Sequence, residues 1–274
     1  MGALWGSLSA LGIGLSDLFG RRVVAASSPL TAAAAMQLLG AFAALAAALV
    51  ITGSPIGADV ALGGVSGFGL ATGLSCYYGG LTRSTSTVVA PTVATLSAVI
   101  PFAYTVATGH PASGLAILGA AVAVVGLAVV AWGGASVARV GAGLRWGLAS
   151  GLAYGVGLSA LVETTSASGS WPGVSQRVVA FGFLAVVARF TGRSVVPPMG
   201  VRGAAMVAGT LSGLVTVFYL LGVQADATAA VVTASMFPAF SVGIGWLFFH
   251  DHVGRIQIGG VVLVLLGVVG VVAA

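Results

Sequence analysis

The sequence predicts an all-α polytopic membrane protein, with ten transmembrane helices arranged as two inverted five-helix repeats. Three observations carry that prediction. First, 58% of the residues are hydrophobic and 5% charged, with a mean hydropathy of +1.13. A soluble domain carries about 25% charge, so this chain could not wet its own surface and belongs in a bilayer. Second, the apolar residues fall into ten runs of spanning length, roughly 17–22 residues each. Third, the two halves repeat each other at an offset of 141 residues, the separation of Tyr78 and Tyr219.

The repeat is ungapped from 77–130 onto 218–271. Thr87 meets Thr228, Thr92 meets Thr233, Gly119 meets Gly260 and Gly126 meets Gly267. The same offset sets Trp5 on Trp146, Gly6 on Gly147 and Gly14 on Gly155. With 43 glycines the glycine matches mean little, whereas Trp and Tyr number five each and their matches mean more. Polar breaks also fall in register, GHP at 109–111 with HDH at 250–252. An internal duplication follows, with a first repeat at 1–137, a second at 142–274, and one membrane domain overall.

Taken in order, the expected spans lie near 3–19, 31–51, 60–80, 86–107 and 113–132, then 146–164, 173–191, 203–222, 228–249 and 256–273. The start MGALWGSLSA has no basic segment and no clear cleavage site, so its apolar run reads as a retained span. Breaks are marked by Arg21-Arg22 with Pro29, Gly53-Ser54-Pro55 with Asp59, Arg83 to Ser86, and Gly109-His110-Pro111. Later ones run from Arg139 to Arg145, Ser166 to Pro172, Arg193 to Arg202, Gln224 to Asp226 and His250 to Arg255. A β-barrel would need strands of about ten residues with alternating polarity, and a run such as 256–273 is apolar on every face. Helices remain as the way to satisfy the backbone in hydrocarbon.

Five spans per copy is an odd number. The second copy then enters the membrane from the other side, and the repeats are inverted. Inverted repeats place a polar hollow at their interface near the midplane, where rocking of one half against the other gives alternating access. That geometry predicts a carrier. Nine of the ten arginines (21, 22, 83, 139, 145, 189, 193, 202 and 255) follow odd-numbered spans, and only Arg177 follows an even one. By the positive-inside rule both termini would lie outside.

These features resemble the drug/metabolite transporter superfamily, specifically its EamA-type ten-helix transporters. The most specific stretch is ASMFPAFSVGIGWLFFHDHVGRIQIGGVVLVLLGVV at 234–269, where Asp251 follows Pro238 by thirteen residues ahead of a Gly-rich last span. The resemblance implies an exporter with cytoplasmic termini, opposite to the arginine count. It also implies that the third and eighth helices line the cavity and that the fifth and tenth flank it. The chain departs from the family pattern in three places: Phe237 before that proline, His110 in place of the first-copy acid, and Leu38 where a second arginine would match Arg177.

Candidate substrate-binding residues are Gln37, Tyr77, Tyr78, Thr92, Gln176, Arg177, Tyr219, Thr233 and Trp246. Arg177 reads either as an interfacial anchor or as a counter-charge for a carboxylate or phosphate on the substrate. Gln37 has no good partner within its own helix and should face a neighbour or water, whereas Thr92 and Thr233, with Ser97 and Ser235, often just bond the preceding turn. The tyrosines and Trp246, like Trp5 and Trp146, suit an aromatic belt as well as a stacking site. Candidate gating residues are Asp17, Pro91, Pro101 and Pro238. Asp17 forms either an i,i+4 pair with Arg21 or a protonatable gate, and the prolines either kink spans four and nine or pack at crossings.

No catalytic set, phosphate loop or cofactor motif is read. Cys76 stands alone, and His250-Asp251-His252 lacks further ligands, so no metal is expected. Arginines spread singly exclude a nucleic-acid footprint. The partners expected are a small-molecule substrate and the lipid bilayer. The rival functions are a membrane-embedded enzyme acting on lipid and a non-transporting scaffold.

Overall fold

A chain with so little charge satisfies its backbone internally, and it does so with helices. The computed structural model describes residues 1–107, 113–132, 137–234, 237–250 and 254–272. Among the described residues there are ten α-helices and no strand. They are α1 Gly2–Ala26, α2 Pro29–Val50, α3 Gly57–Leu81, α4 Ser86–Ala107, α5 Gly114–Trp132, α6 Val137–Val162, α7 Trp171–Phe190, α8 Arg202–Ala234, α9 Phe237–Phe249 and α10 Arg255–Val272. Four stretches, Pro29–Val50, Gly57–Leu81, Trp171–Phe190 and Met199–Gly222, are long and apolar enough to cross a membrane.

Local signals explain several of the ends. Ser28 accepts from the Thr31 amide at 3.1 Å and is followed by Pro29, which caps α2 with a proline in its first turn. α9 stops at Phe249, and His250 turns the chain with a φ of +52°.

Two boundaries differ from expectation. The break placed at Gln224 to Asp226 is helical: α8 runs 33 residues and α9 only 13. The segment Gln224-Ala225-Asp226-Ala227 is polar but holds neither Gly nor Pro, and alanine is the best helix former. Polarity marked it as a loop, and backbone propensity decided otherwise. At 1.5 Å per residue α8 is about 50 Å long, more than the roughly 30 Å of hydrocarbon. Likewise α6 begins at Val137, which draws Arg139 and Arg145 into its first turns.

The direction of each helix is read from its contacts. On α1, Ser9 donates to the Val215 carbonyl and Ser16 to that of Ala208, so α1 and α8 run antiparallel. On α6, Ser150 donates to the Gly73 carbonyl, and Gly79 of α3 abuts Trp146, so α6 and α3 are antiparallel too. Ser150 is the residue 141 positions after Ser9. Gly14 of α1 abuts Phe240 of α9, and its counterpart Gly155 of α6 abuts Ile100 of α4. A side chain on Gly126 would strike Val264 and Gly260, and one on Gly267 would strike Ala123 and Gly119. Both sides of that α5–α10 crossing are related by the same offset. Small residues at these crossings let backbones approach closely, the usual basis of helix association in lipid.

The contacts gather the helices into two groups, α1, α2, α8 and α9 against α3, α4, α6 and α7, bridged by α2 packing on α7. α5 and α10 pair with each other. Each group therefore mixes helices from both halves of the sequence.

Candidate functional site

The groups meet along a buried polar seam. Asp17 of α1, 5% exposed, accepts two hydroxyl hydrogen bonds at the same oxygen, Oδ2. Tyr77 of α3 donates one at 2.7 Å and Ser241 of α9 the other at 2.7 Å. The Tyr77 bond joins the two groups, and the Ser241 bond lies within one. Tyr78, fully buried, directs its hydroxyl at the Met36 sulfur of α2 at 3.2 Å, a second link across the seam.

Arg177 of α7 makes the third link. Its Nη1 donates to Gln37 Oε1 of α2 at 2.9 Å and to Ser212 Oγ of α8 at 2.8 Å. Its Nη2 donates to the Ser212 carbonyl at 2.5 Å and to Thr216 Oγ1 at 2.7 Å. The side chain is 3% exposed and lies inside the bundle rather than at its surface. The Arg177 Nε and the Gln37 Nε2 are buried and have no hydrogen-bond partner among the described residues.

The other candidates lie elsewhere. Gln176 donates to Ser66 Oγ of α3 at 2.8 Å, inside one group. Thr92 bonds the Val88 carbonyl of its own helix at 2.7 Å, and Thr233 reaches the Ala3 carbonyl at 3.2 Å. Tyr219 is half-buried on α8. Trp246 is 60% exposed on α9 and does not cover the seam. Trp5 stacks on Phe218 at 5.6 Å, and Arg83 lies over the Trp146 ring at 4.7 Å.

Pro91 is buried in α4, which is helical through both it and Pro101; the Pro101 side chain lies outside the described residues. Pro238 falls in the first turn of α9, where a missing N–H breaks no helical bond, so the expected mid-span kink is replaced by a helix start. Its side chain, with Ser235, His110, Asp251 and His252, lies outside the described residues.

Sequence reasoning missed Ser212, Thr216 and Ser241 as partners. A serine in a membrane helix usually bonds its own backbone, and only the spacing of Ser212 and Thr216, one turn apart, hinted at a shared face. It also missed Asp59, buried at the start of α3. Asp59 Oδ2 accepts from the Thr165 amide at 3.1 Å, Thr165 Oγ1 at 2.6 Å and Ser168 Oγ at 2.6 Å, which pins the α6–α7 connection. Where the two groups meet, the side chains of the seam bond one another across it. The grooves found on described residues are apolar and superficial, one between α2 and α7 lined by Leu38, Phe42, Val178 and Phe181, the other on α8 at Met206 to Leu211.

Among the described residues no group of three or more His, Cys, Asp or Glu is placed to hold a metal ion. No curated protein matches the chain. Residues 1–132, just under half of the chain, match the model of the EamA-like transporter family, and over that stretch the chain is similar to that family.

Proposed function

We propose that the chain is a secondary transporter that moves small organic metabolites across the cytoplasmic membrane by alternating access, in the direction of export. Ten spans form two inverted five-helix repeats, residues 1–137 and 142–274. The paired contacts at the 141-residue offset, with helix directions reversed between partners, support that arrangement. The observation that carries the mechanism is the seam. Its polar bonds, Tyr77 to Asp17 and Arg177 to Gln37, link helices of the two groups. Breaking a few hydrogen bonds there, with cargo groups taking their place, lets the groups part on one side and close on the other.

The test is counterflow in proteoliposomes with amino acids, nucleobases, amines and sugars. Saturable exchange of one class, altered in rate by Tyr77→Phe, is the expected result. Absence of exchange for every class, with lipid product formed instead or with tags revealing an even number of crossings in either half, contradicts it.

A further inference from the structure

The seam satisfies its acid and leaves its base unmet. Asp17 receives two hydroxyl donors. Arg177 is even more buried, yet its hydrogen-bond partners are neutral oxygens of Gln37, Ser212 and Thr216. Its Nε and the neighbouring Gln37 Nε2 donate to nothing among the described residues. A buried cation without a counter-charge is costly, and orphaned N–H groups add to the cost. Within a membrane such a residue marks a substrate or ion pathway by default. A fixed positive charge beside two free N–H donors matches one chemistry, an oxygen acceptor carrying negative charge.

The pseudo-equivalent positions sharpen this. Counting 141 residues from Arg177, Gln37, Ser212 and Thr216 leads to Met36, Val178, Ala71 and Ser75, and these, like the Leu38 set against Arg177 by the family pattern, are uncharged. The cation thus stands in one half of the sequence only.

We propose that Arg177 and Gln37 form the recognition site for an oxyanion, a carboxylate or phosphate, borne by the transported molecule. The proposal rests on the carrier reading above and names its cargo class. In the closed seam, neutral oxygens of α2 and α8 stand in for the oxyanion. When the groups part, the guanidinium exchanges them for cargo. A neutral isostere is rejected because it leaves buried donors unpaired.

The experiment compares matched acid and amide pairs, acetate with acetamide and benzoate with benzamide, together with inorganic phosphate. Binding is read as a thermal shift of the full chain in phosphatidylcholine nanodiscs, alongside flux in proteoliposomes. At least one anion is expected to stabilise the wild type where the neutral amides do not. Arg177→Gln should weaken that binding about ten- to a hundredfold, the range for a hydrogen bond to a charged group. Arg177→Lys should keep the preference for anions with lower affinity, because it keeps the charge and loses the fork. Gln37→Met, which keeps the guanidinium, should weaken binding less than Arg177→Gln does. The proposal is overturned by no anion-specific shift in the wild type, by a shift that survives Arg177→Gln, or by one that only phosphatidylglycerol produces. Anion binding without flux would keep this site and sink the carrier reading, whereas flux indifferent to cargo charge would sink this site alone.

Discussion

Tyr77 donates its phenolic proton to the Asp17 oxygen that Ser241 also bonds, each at 2.7 Å, so one carboxylate ties α3 to α1 and α9. Asp17 was expected either to pair with Arg21 one turn along its own helix or to act as a gate. The geometry gives it partners on two other helices, one of them across the seam. A carboxylate only 5% exposed depends on its donors.

Tyr77→Phe is expected to destabilise the protein by about 1.5–3 kcal/mol, the worth of a hydrogen bond to a charged group. It deletes one hydroxyl and keeps the ring. A thermal midpoint unchanged from the wild type would show that the bond does not hold the groups together.

Asp59→Ala should free the α6–α7 connection, since it removes three hydrogen bonds to one carboxylate oxygen. Hydrogen–deuterium exchange should rise at residues 163–170 and stay level at residues 191–201, the α7–α8 connection. A uniform rise along the chain would instead mark Asp59 as a determinant of the whole fold.

Leucine at Gly126 or at Gly267 should cost similar amounts, about 1–3 kcal/mol each, by overpacking the α5–α10 crossing. The neighbouring backbones leave no room at either site. Gly182→Ala meets open space and should cost no stability. Unequal losses at the two crossing positions, measured by denaturation, would argue against the two-fold relation.

Ala225→Pro tests the continuity of α8. Within a helix, proline removes a backbone bond and clashes with the preceding turn, at a cost of about 3 kcal/mol or more. A stability close to that of the wild type would restore the loop that polarity predicted at Gln224 to Asp226.

Much of the helix order was legible because burial in lipid leaves a strong, long-wavelength signal. Apolar runs between Gly, Pro and charge marked α2, α3, α5, α7 and α10 within a few residues. Polarity alone failed at Gln224 to Asp226, where a polar stretch of helix reads like a loop. For the site, the lone intramembrane Arg177 and the amide of Gln37 stood out as groups that need partners, and the structure pairs them at 2.9 Å. Ser212, Thr216 and Ser241 did not stand out, because nothing local separates a serine that bonds its own helix from one that serves a neighbour. The grouping of α1 and α2 with α8 and α9 was also hidden: the repeat reveals which residues correspond, not which helices touch.

The central claim is that the seam at Arg177 opens in turn to the two sides of the membrane. Its most direct test is Thr216→Cys in a Cys76→Ser background, labelled in sealed vesicles of each orientation with a membrane-impermeant maleimide. Labelling from both faces is predicted, with saturating cargo raising reactivity at one face as it falls at the other. Labelling from neither face, while cargo still crosses the membrane, would contradict it.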